Sequence, residues 1–178
     1  MTSRSPEPPS DPDRPLGAPS GSAGGGARLR VLIADDDERS LDAIVALFDR
    51  ERFSIDPAHG GLEALARLGL PDGGAEVEEP GEESAGLPRV GAVSLPYDFM
   101  VLDYNMPDLT GVEVMRRIRI RFGGPLPAIM VSGNYSSELL RSWSSVGGFS
   151  LLPKPIEPVD FRNQVNLLVQ RFFGGATA

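Results

Sequence analysis

The hydrophobic residues of this chain alternate between short apolar runs and longer stretches with helical spacing. Three runs are mainly apolar, at positions 29–34, 99–103 and 128–132; the first is followed at once by acidic residues, and the other two end at a polar residue. Such runs are typical of strands buried on both faces of a parallel sheet. Weaker runs at 53–55 and 149–152 predict two further strands. The pattern therefore predicts five short strands.

Between these runs, apolar residues recur every three or four positions, which is the spacing of one buried helical face. The spacing predicts helices over residues 38–50, 61–68, 110–122, 136–145 and 158–173. In the second helix, Leu62, Leu65 and Leu68 are expected to face the core together. Each predicted strand is thus followed by a predicted helix.

Five strand–helix units in succession predict an α/β fold, a doubly wound parallel sheet of the flavodoxin-like (βα)5 type. Because connections between parallel strands are right-handed, few topologies remain, and we expect the strand order 2-1-3-4-5. In such a sheet the carboxyl ends of all strands lie along one edge. Ligands of open α/β sheets bind at that edge.

Proline and glycine divide the chain into one domain with tails. Residues 1–27 contain six prolines and a triple glycine but almost no large apolar residue, which predicts a disordered tail. We expect the folded domain over residues 28–173 and a short tail at 174–178. Residues 69–96 combine glycine and proline with six acidic residues, which predicts a flexible acidic insertion within the domain.

Composition narrows the class of protein. The 178 residues include no cysteine, which excludes disulfides and thiolate metal sites and is typical of a reducing cytoplasm. No apolar run approaches the roughly 18 residues that a membrane span requires. A formal net charge of −8 argues against nucleic-acid binding, since DNA is held mainly by lysine and arginine. We expect a cytoplasmic protein that binds neither membrane nor nucleic acid directly.

Polar side chains stand at the ends of the predicted strands. Asp35 and Asp36 follow the first strand, Asp103 and Ser132 end the third and fourth, and Lys154 follows the fifth. Carboxylates this close repel one another unless a hard divalent cation neutralises them, and Mg²⁺ is the expected ion. A carboxylate in such a site is a nucleophile for a phosphoryl group, and the central Asp103 fits that role. Ser132 and Lys154 would then bind phosphoryl oxygens.

Longer motifs surround these residues. They read VLIADDD at 31–37, LDYNMPDLTG at 102–111, VSG at 131–133 and KP at 154–155. In order and spacing they resemble the receiver domain of response regulators from two-component systems. The resemblance covers residues 29–173, which is the whole part of the chain that we expect to be ordered.

The resemblance implies a role for each residue of the metal site. Asp103 is the expected phosphoacceptor and a Mg²⁺ ligand, Asp36 a direct ligand, and Asp35 a ligand that acts through water. Asn105 would contribute its backbone carbonyl to the ion. Ser132 takes the place of the hydroxyl that reorients when the aspartate is phosphorylated.

Four further positions follow from the same resemblance. Lys154 takes the place of the family's lysine, and Lys154–Pro155 is the peptide that the family often holds in the cis form. Asn134, together with Asn105, is a candidate determinant of slow self-dephosphorylation. Leu151 departs from the family, which usually has an aromatic residue three positions before the lysine. The sequence leaves open whether Leu151 alters the switch.

The function implied by the resemblance is that of a single-domain response regulator of the chemotaxis-regulator type, which is not an enzyme. A sensor histidine kinase or a phosphotransfer protein would supply the phosphoryl group, and a downstream protein would recognise the phosphorylated form. One alternative is a receiver-like interaction module that acts independently of phosphorylation. Another is a phosphatase with an aspartyl intermediate, which needs an additional acid or base that the sequence does not reveal.

Two other conspicuous residues are interpreted as structural. His59 is the single histidine and precedes a predicted helix, so we expect a surface or capping role. Trp143 is the single tryptophan and lies among apolar residues of the fourth predicted helix. We expect it to pack in the core; the alternative is an exposed aromatic anchor for partners on this helix.

Overall fold

The computed structural model describes residues 28–70, 95–124 and 126–174 of the chain. The predicted N-terminal tail, residues 71–94 of the predicted insertion and nearly all of the C-terminal tail lie outside these ranges. The proposed domain boundaries therefore stay predictions. Leu95, near the end of the predicted insertion, is buried in the core.

Strands and helices alternate along the described residues. The strands are β1 (Leu29–Ala34), β2 (Phe53–Ala58), β3 (Phe99–Asp103), β4 (Ala128–Ser132) and β5 (Ser150–Pro153). The helices are α1 (Glu38–Ala46), α2 (Gly61–Arg67), α3 (Gly111–Phe122), α4 (Ser137–Ser145) and α5 (Pro158–Phe173). None of these helices has the length and apolar character that crossing a membrane requires.

The five strands form one parallel sheet in the order β2-β1-β3-β4-β5. The predicted flavodoxin-like (βα)5 fold and its strand order are therefore confirmed. β3 lies at the centre of the sheet, with β1 on one side and β4 on the other. The residue that ends β3, Asp103, is consequently flanked by the ends of two other buried strands.

Alternating side chains give the sheet two apolar faces. Leu32, Met100 and Met130 belong to a core that includes residues of α2, α3 and α4. Their neighbours Val31 and Val101 belong to a second core, with residues of α1 and α5. All five strand residues are fully buried. The uninterrupted apolar runs of the sequence thus correspond to strands covered on both sides, which rigidly fixes the positions of the strand ends.

α1 is shorter than its apolar spacing predicts. It ends at Ala46, and the backbone N–H of Leu47 bonds to the carbonyls of Ile44 and Val45, which tightens the last turn. The side chain of Asp49 then accepts a hydrogen bond from the backbone N–H of Glu51 at 2.9 Å. Aspartate favours such turns because its side chain competes with helical hydrogen bonds. The prediction of a helix to residue 50 is therefore wrong.

Two predictions around β2 and α2 also need correction. β2 continues beyond residue 55 to Ala58 and includes Pro57, which is tolerated because β2 is an edge strand. Leu62 is 44% exposed, so the prediction that it faces the core with Leu65 and Leu68 is wrong. A helix turns by about 100° per residue, so positions three apart drift by about 60°.

Trp143 joins α4 to β5. Its side chain is 1% exposed, and its indole N–H donates a hydrogen bond to the carbonyl of Ser150 at 2.9 Å. The backbone of Gly148 lies directly against the indole, so a Cβ at position 148 would overlap the ring. The prediction that Trp143 is a core residue is confirmed.

Candidate functional site

Charged side chains from three strand ends meet at the carboxyl edge of the sheet. Asp35 and Asp36 follow β1, Asp103 ends β3, and Lys154 follows β5. Lys154 reaches across the edge to contact both Asp35 and Asp103. These four residues are called the acidic edge below. Ser132 ends β4, the neighbouring strand, where it is buried.

The ammonium group of Lys154 lies between two carboxylates. Its Nζ atom is 2.6 Å from Oδ1 of Asp103 and 2.8 Å from Oδ2 of Asp35. The side chains of Asp35 and Asp103 are only 1% and 5% exposed. Water therefore screens these charges weakly, and a buried carboxylate without a partner would be costly. One cation compensates two buried anions here.

The pKa values of the pair follow from this arrangement. Burial raises the pKa of Asp103 above its ordinary value, and the negative charge of Asp35 adds to this, while Lys154 opposes it. Burial alone would lower the pKa of Lys154, but its hydrogen bonds with Asp103 and Asp35 raise it. The pKa values of the acid Asp103 and of the base Lys154 are both raised, because Asp35 faces both groups. Its charge disfavours the ionised Asp103 and favours the charged ammonium.

Asp35 is held by the start of α1 as well as by Lys154. Its Oδ1 atom accepts a hydrogen bond from the backbone N–H of Asp37 at 3.0 Å, and Oδ2 accepts one from the hydroxyl of Ser40 at 2.6 Å. Asp37 in turn caps α1, accepting the backbone N–H of Ser40 at 3.0 Å. The sequence analysis missed Ser40. The available signal was its position in the first turn of α1, where side chains point back towards the helix start.

The acidic edge fits a magnesium ion. Oxygen atoms of Asp35, Asp36 and Asp103 all lie within 4.8 Å of one another. Mg²⁺ prefers oxygen ligands at about 2.1 Å in an octahedron, so ligands on opposite sides of one ion are about 4.2 Å apart. Asp36 is exposed, which leaves space for the waters that Mg²⁺ retains. The oxygen donors and their separations are therefore compatible with a Mg²⁺ ion.

Two backbone features complete the edge. The backbone N–H of Asn105 donates to Oδ2 of Asp103 at 2.8 Å, which places Asn105 directly beside the carboxylates. The backbone N–H of Lys154 donates to the carbonyl of Ser132 at 2.8 Å, which ties the end of β5 to β4. The Lys154–Pro155 peptide is cis, the form that the sequence resemblance implies.

The hydroxyl of Ser132 is engaged with its own loop. It donates to the carbonyl of Asn134 at 2.9 Å and accepts the backbone N–H of Asn134 at 3.1 Å. Leu151 is 8% exposed and packs in the core that includes α3 and α4. Leu151 is apolar and has no group that could bond to a hydroxyl. The described partners of the Ser132 hydroxyl both belong to the β4–α4 loop.

Asp108 is a second residue that the sequence analysis missed. Its Oδ1 accepts the backbone N–H groups of Gly61 at 3.0 Å and Leu109 at 2.7 Å, and its Oδ2 accepts that of Leu62 at 2.8 Å. α2 begins after Gly60, which has no side chain to cap the helix, so Asp108 caps it from the β3–α3 loop. Burial would raise the pKa of Asp108, but these backbone donors outweigh it and lower the pKa.

A second group of polar residues joins β2, α2 and the segment before β3. Arg67 pairs with Asp56 and, at 2.6 Å, with Glu63, and the hydroxyl of Tyr97 donates to Asp56. These four residues are called the Arg67 cluster below. Burial and the hydrogen bond to Asp56 raise the pKa of Tyr97 to about 12. His59 is exposed and its backbone N–H donates to Glu63 at 2.7 Å, in agreement with the predicted surface role.

Comparison with known proteins identifies the family to which this α/β fold, with its acidic pocket at the carboxyl edge of the sheet, belongs. The family model of the response regulator receiver domain matches residues 31–166. This chain belongs to the response regulator receiver domain family. Such domains are phosphoacceptors of two-component systems that interact with histidine kinases or phosphotransfer partners, and they generally bind Mg²⁺ at an acidic pocket.

Curated relatives are identical to this chain at about a quarter of the aligned positions. The transcriptional regulatory protein CutR of Streptomyces coelicolor is 27% identical over 145 residues, which cover 80% of this chain and 54% of CutR. The transcriptional regulatory protein ResD of Bacillus subtilis is 25% identical over 142 residues, covering 80% of this chain and 48% of ResD. The chain thus spans about half the length of the curated relatives it matches.

Solved structures share the fold. A CheY-like receiver domain protein from Methanospirillum hungatei superposes with a TM-score of 0.62 at 21% identity, over 84% of this chain and 99% of that one. CheY in the CheX–CheY–BeF3–Mg²⁺ complex from Borrelia burgdorferi gives a TM-score of 0.59 at 20% identity, over 79% and 88%. At these identities the likeness shows the fold.

Proposed function

We propose that this chain is a response-regulator receiver that accepts a phosphoryl group on Asp103 in a Mg²⁺-dependent reaction. The observation that carries the proposal is the placement of Asp103, which is buried at the end of the central strand and contacts Lys154. Oxygens of Asp35 and Asp36 lie close enough to share one ion with it. The Borrelia CheY, which has this fold, was solved with BeF3 and Mg²⁺, which supports Mg²⁺ as the ion.

The residues of the edge divide the chemistry between them. A carboxylate oxygen of Asp103 forms a bond to phosphorus while the P–N bond of a phosphohistidine breaks, and its electron pair leaves with the imidazole. Lys154 and the hydroxyl of Ser132 bind phosphoryl oxygens. Asp36 and the carbonyl of Asn105 are proposed as direct Mg²⁺ ligands, and Asp35 as one through water. When bound, Mg²⁺ neutralises charge as the phosphoryl group approaches the carboxylates.

We propose that the response to phosphorylation begins in the β4–α4 loop. To bind a phosphoryl oxygen, the hydroxyl of Ser132 must give up its hydrogen bond to the carbonyl of Asn134. The loop before α4 is then released from the sheet. Leu151 is a buried aliphatic residue with no polar atom to follow the hydroxyl, so the loop takes over the role of the usual aromatic residue. Asn134 and Asn105 are proposed to position water for slow self-dephosphorylation.

The proposed partners are a sensor histidine kinase or phosphotransfer protein as donor and a downstream protein as target, in the cytoplasm. The domain proposed for this role spans residues 28–173, between the proposed tails at 1–27 and 174–178. The names of CutR and ResD favour a second candidate, in which the receiver controls transcription together with another domain or partner.

Phosphorylation by a small-molecule donor tests the proposal directly. Wild type, Asp103→Asn and the control Asp42→Asn, at an exposed aspartate of α1, are incubated with acetyl phosphate and Mg²⁺ and measured by intact mass. We expect one added phosphoryl group on wild type and control, none on Asp103→Asn, and none in EDTA. A folded wild type that binds Mg²⁺ but gains no phosphoryl group would favour the phosphate-independent interaction module.

A further inference from the structure

We infer that Ser40 is a positioning residue of the Mg²⁺ site, because its hydroxyl fixes the orientation of the Asp35 carboxylate and thereby sets the affinity for the ion. The inference rests on the proposed function and deepens it. Ser40 lies on α1, outside the strand ends that form the acidic edge, and it reaches that edge only through Asp35.

The hydrogen bonds of Asp35 show how little freedom its carboxylate has. Oδ2 accepts both the hydroxyl of Ser40 at 2.6 Å and Nζ of Lys154 at 2.8 Å, and Oδ1 accepts the backbone N–H of Asp37 at 3.0 Å. A carboxylate offers about four acceptor positions, so most of those on Asp35 are filled by protein donors. This side chain is 1% exposed, which leaves little solvent to replace a lost donor.

The start of α1 presents Ser40 to Asp35 in a fixed geometry. Asp37 is the N-cap residue, and its side chain accepts the backbone N–H of Ser40, which defines the first helical turn. In many helices the side chain at the position of Ser40 reaches back to the N–H of the N-cap residue. Here Asp35 accepts that N–H, and Ser40 donates to Asp35 instead. The first turn of α1 is therefore built around a carboxylate of the acidic edge.

Lys154 cannot hold the Asp35 carboxylate alone, because it also pairs with Asp103. Its Nζ atom also contacts Asp103 at 2.6 Å, and in the proposed reaction it pairs with a phosphoryl oxygen. Among the residues that the structure describes, Ser40 and Lys154 are the two side chains seen to donate to Asp35. When Lys154 turns to the phosphoryl group, Ser40 keeps Oδ2 of Asp35 bonded and in place.

The three carboxylates of the acidic edge differ in the groups that hold them in place. Asp36 is exposed, and Asp103 has one backbone donor besides Lys154, from Asn105 at 2.8 Å. Among the contacts of the described residues, Asp35 is the one carboxylate of the three that is anchored by a hydroxyl from a helix. Groups that orient the residues around a metal typically change its affinity by about 10–100-fold when removed. Loss of the Ser40 hydroxyl should therefore weaken Mg²⁺ binding.

Isothermal titration calorimetry with Mg²⁺ tests the inference on four proteins. We expect Ser40→Ala to raise the Mg²⁺ dissociation constant about tenfold. Ser40→Thr keeps a hydroxyl and should stay within about twofold of wild type. Ser144→Ala removes an exposed hydroxyl from α4 and should leave the constant unchanged. Unchanged or tighter Mg²⁺ binding by Ser40→Ala would overturn the inference.

A second measurement separates positioning from folding. Phosphorylation by acetyl phosphate is followed against Mg²⁺ concentration, and Ser40→Ala should need about tenfold more Mg²⁺ for half of its maximal rate. The rate at saturating Mg²⁺ should approach that of wild type. If thermal unfolding shows that Ser40→Ala does not fold, Ser40→Cys takes its place, since a thiol is a weak donor. Wild-type Mg²⁺ affinity in Ser40→Cys would then overturn the inference.

The outcomes distinguish this inference from the proposed function. A wild type that neither binds Mg²⁺ nor accepts a phosphoryl group contradicts the proposed function itself. A wild type that does both, beside a Ser40→Ala variant that binds Mg²⁺ equally well, contradicts only the role of Ser40. Weaker binding with recovery by Ser40→Thr supports both.

Discussion

The acidic edge and the Arg67 cluster are built from similar groups in different surroundings. In each, one cation pairs with two carboxylates: Lys154 with Asp35 and Asp103, and Arg67 with Asp56 and Glu63. The carboxylate side chains are 1% and 5% exposed at the edge but 38% and 40% exposed in the cluster. Water screens the charges of the cluster, whereas those of the edge interact through protein.

This difference in burial separates a structural ion pair from a functional one. A screened pair contributes little and needs nothing further, because water stabilises whatever charge is left over. At the edge Lys154 faces two buried carboxylates, so one negative charge is left over within the protein, and an added cation would neutralise it. Repulsion between these carboxylates therefore makes the acidic edge less stable, and binding of a cation relieves that repulsion.

Removal of the cation should have the largest effect. We expect Lys154→Met to lower the free energy of unfolding by about 3 kcal/mol, because it leaves two buried carboxylates without a compensating cation. Arg67→Met should cost less than about 1 kcal/mol, because its partners are partly exposed. Urea denaturation measures both. Added Mg²⁺ should restore stability to Lys154→Met only, and equal losses in the two variants would contradict the comparison.

Removal of one carboxylate should change the free energy of unfolding in opposite directions at the acidic edge and in the Arg67 cluster. Asp103→Asn eliminates a buried charge that faces Asp35 and should raise the free energy of unfolding without Mg²⁺ by about 1–2 kcal/mol. Asp56→Asn removes the partner of Arg67 and Tyr97 and should lower it by about 1 kcal/mol. Chemical denaturation in EDTA checks both signs. A destabilised Asp103→Asn would show that the repulsion at the edge is already fully compensated.

Tyr97 makes the cluster sensitive to high pH. Its folded pKa of about 12 lies above the ordinary value of 10.0, so the unfolded chain releases this proton at lower pH than the folded protein does. Its contribution is complete below pH 10 and is lost as the pH rises towards 12. We expect wild type to lose about 1 kcal/mol more than Tyr97→Phe between neutral pH and about pH 11. Parallel pH profiles would contradict this assignment.

Asp108 is a carboxylate that no cation pairs with in the described contacts. Its replacement should have the smallest effect on the free energy of unfolding. Asp108→Ala removes the cap of α2 and should lower the free energy of unfolding by about 0.5–1 kcal/mol at neutral pH. Its lowered pKa means that this stabilisation is present above the ordinary value of 3.8 and is lost as the pH falls below it. The gap between wild type and variant should therefore close in acid. Denaturation curves at neutral pH and at about pH 3 measure it, with Asp42→Ala as the exposed control.

Much of the fold could be predicted because burial is recorded directly in the sequence. β3 and β4 are covered on both faces, so each is an uninterrupted apolar run, and the polar residue that ends it marks the edge of the sheet. The end of α1 could not be predicted from apolar spacing, because Leu47 and Phe48 continue that spacing beyond Ala46, where the helix ends. Leu62 was misplaced because a three-residue spacing drifts around a helix.

The candidate site could be predicted only where its residues stand at the ends of strands. Asp35, Asp103 and Lys154 stand at strand ends, so the topology alone brings them together. Ser40 and Asp108 act through hydrogen bonds whose partners depend on side-chain direction and on loop geometry. Asp108 bonds to the backbone of Gly61, which is 47 positions away. Residues of this kind have no periodic pattern, and only three-dimensional contacts reveal them.

The contact between Trp143 and Gly148 has a consequence for the evolution of this chain. Because the indole occupies the space where a side chain at position 148 would begin, position 148 cannot accept a larger residue while the tryptophan is kept. A descendant that acquires any larger residue at position 148 must first exchange the tryptophan for something smaller. The two positions should therefore covary among related sequences, and glycine at 148 should be inherited wherever the tryptophan is kept.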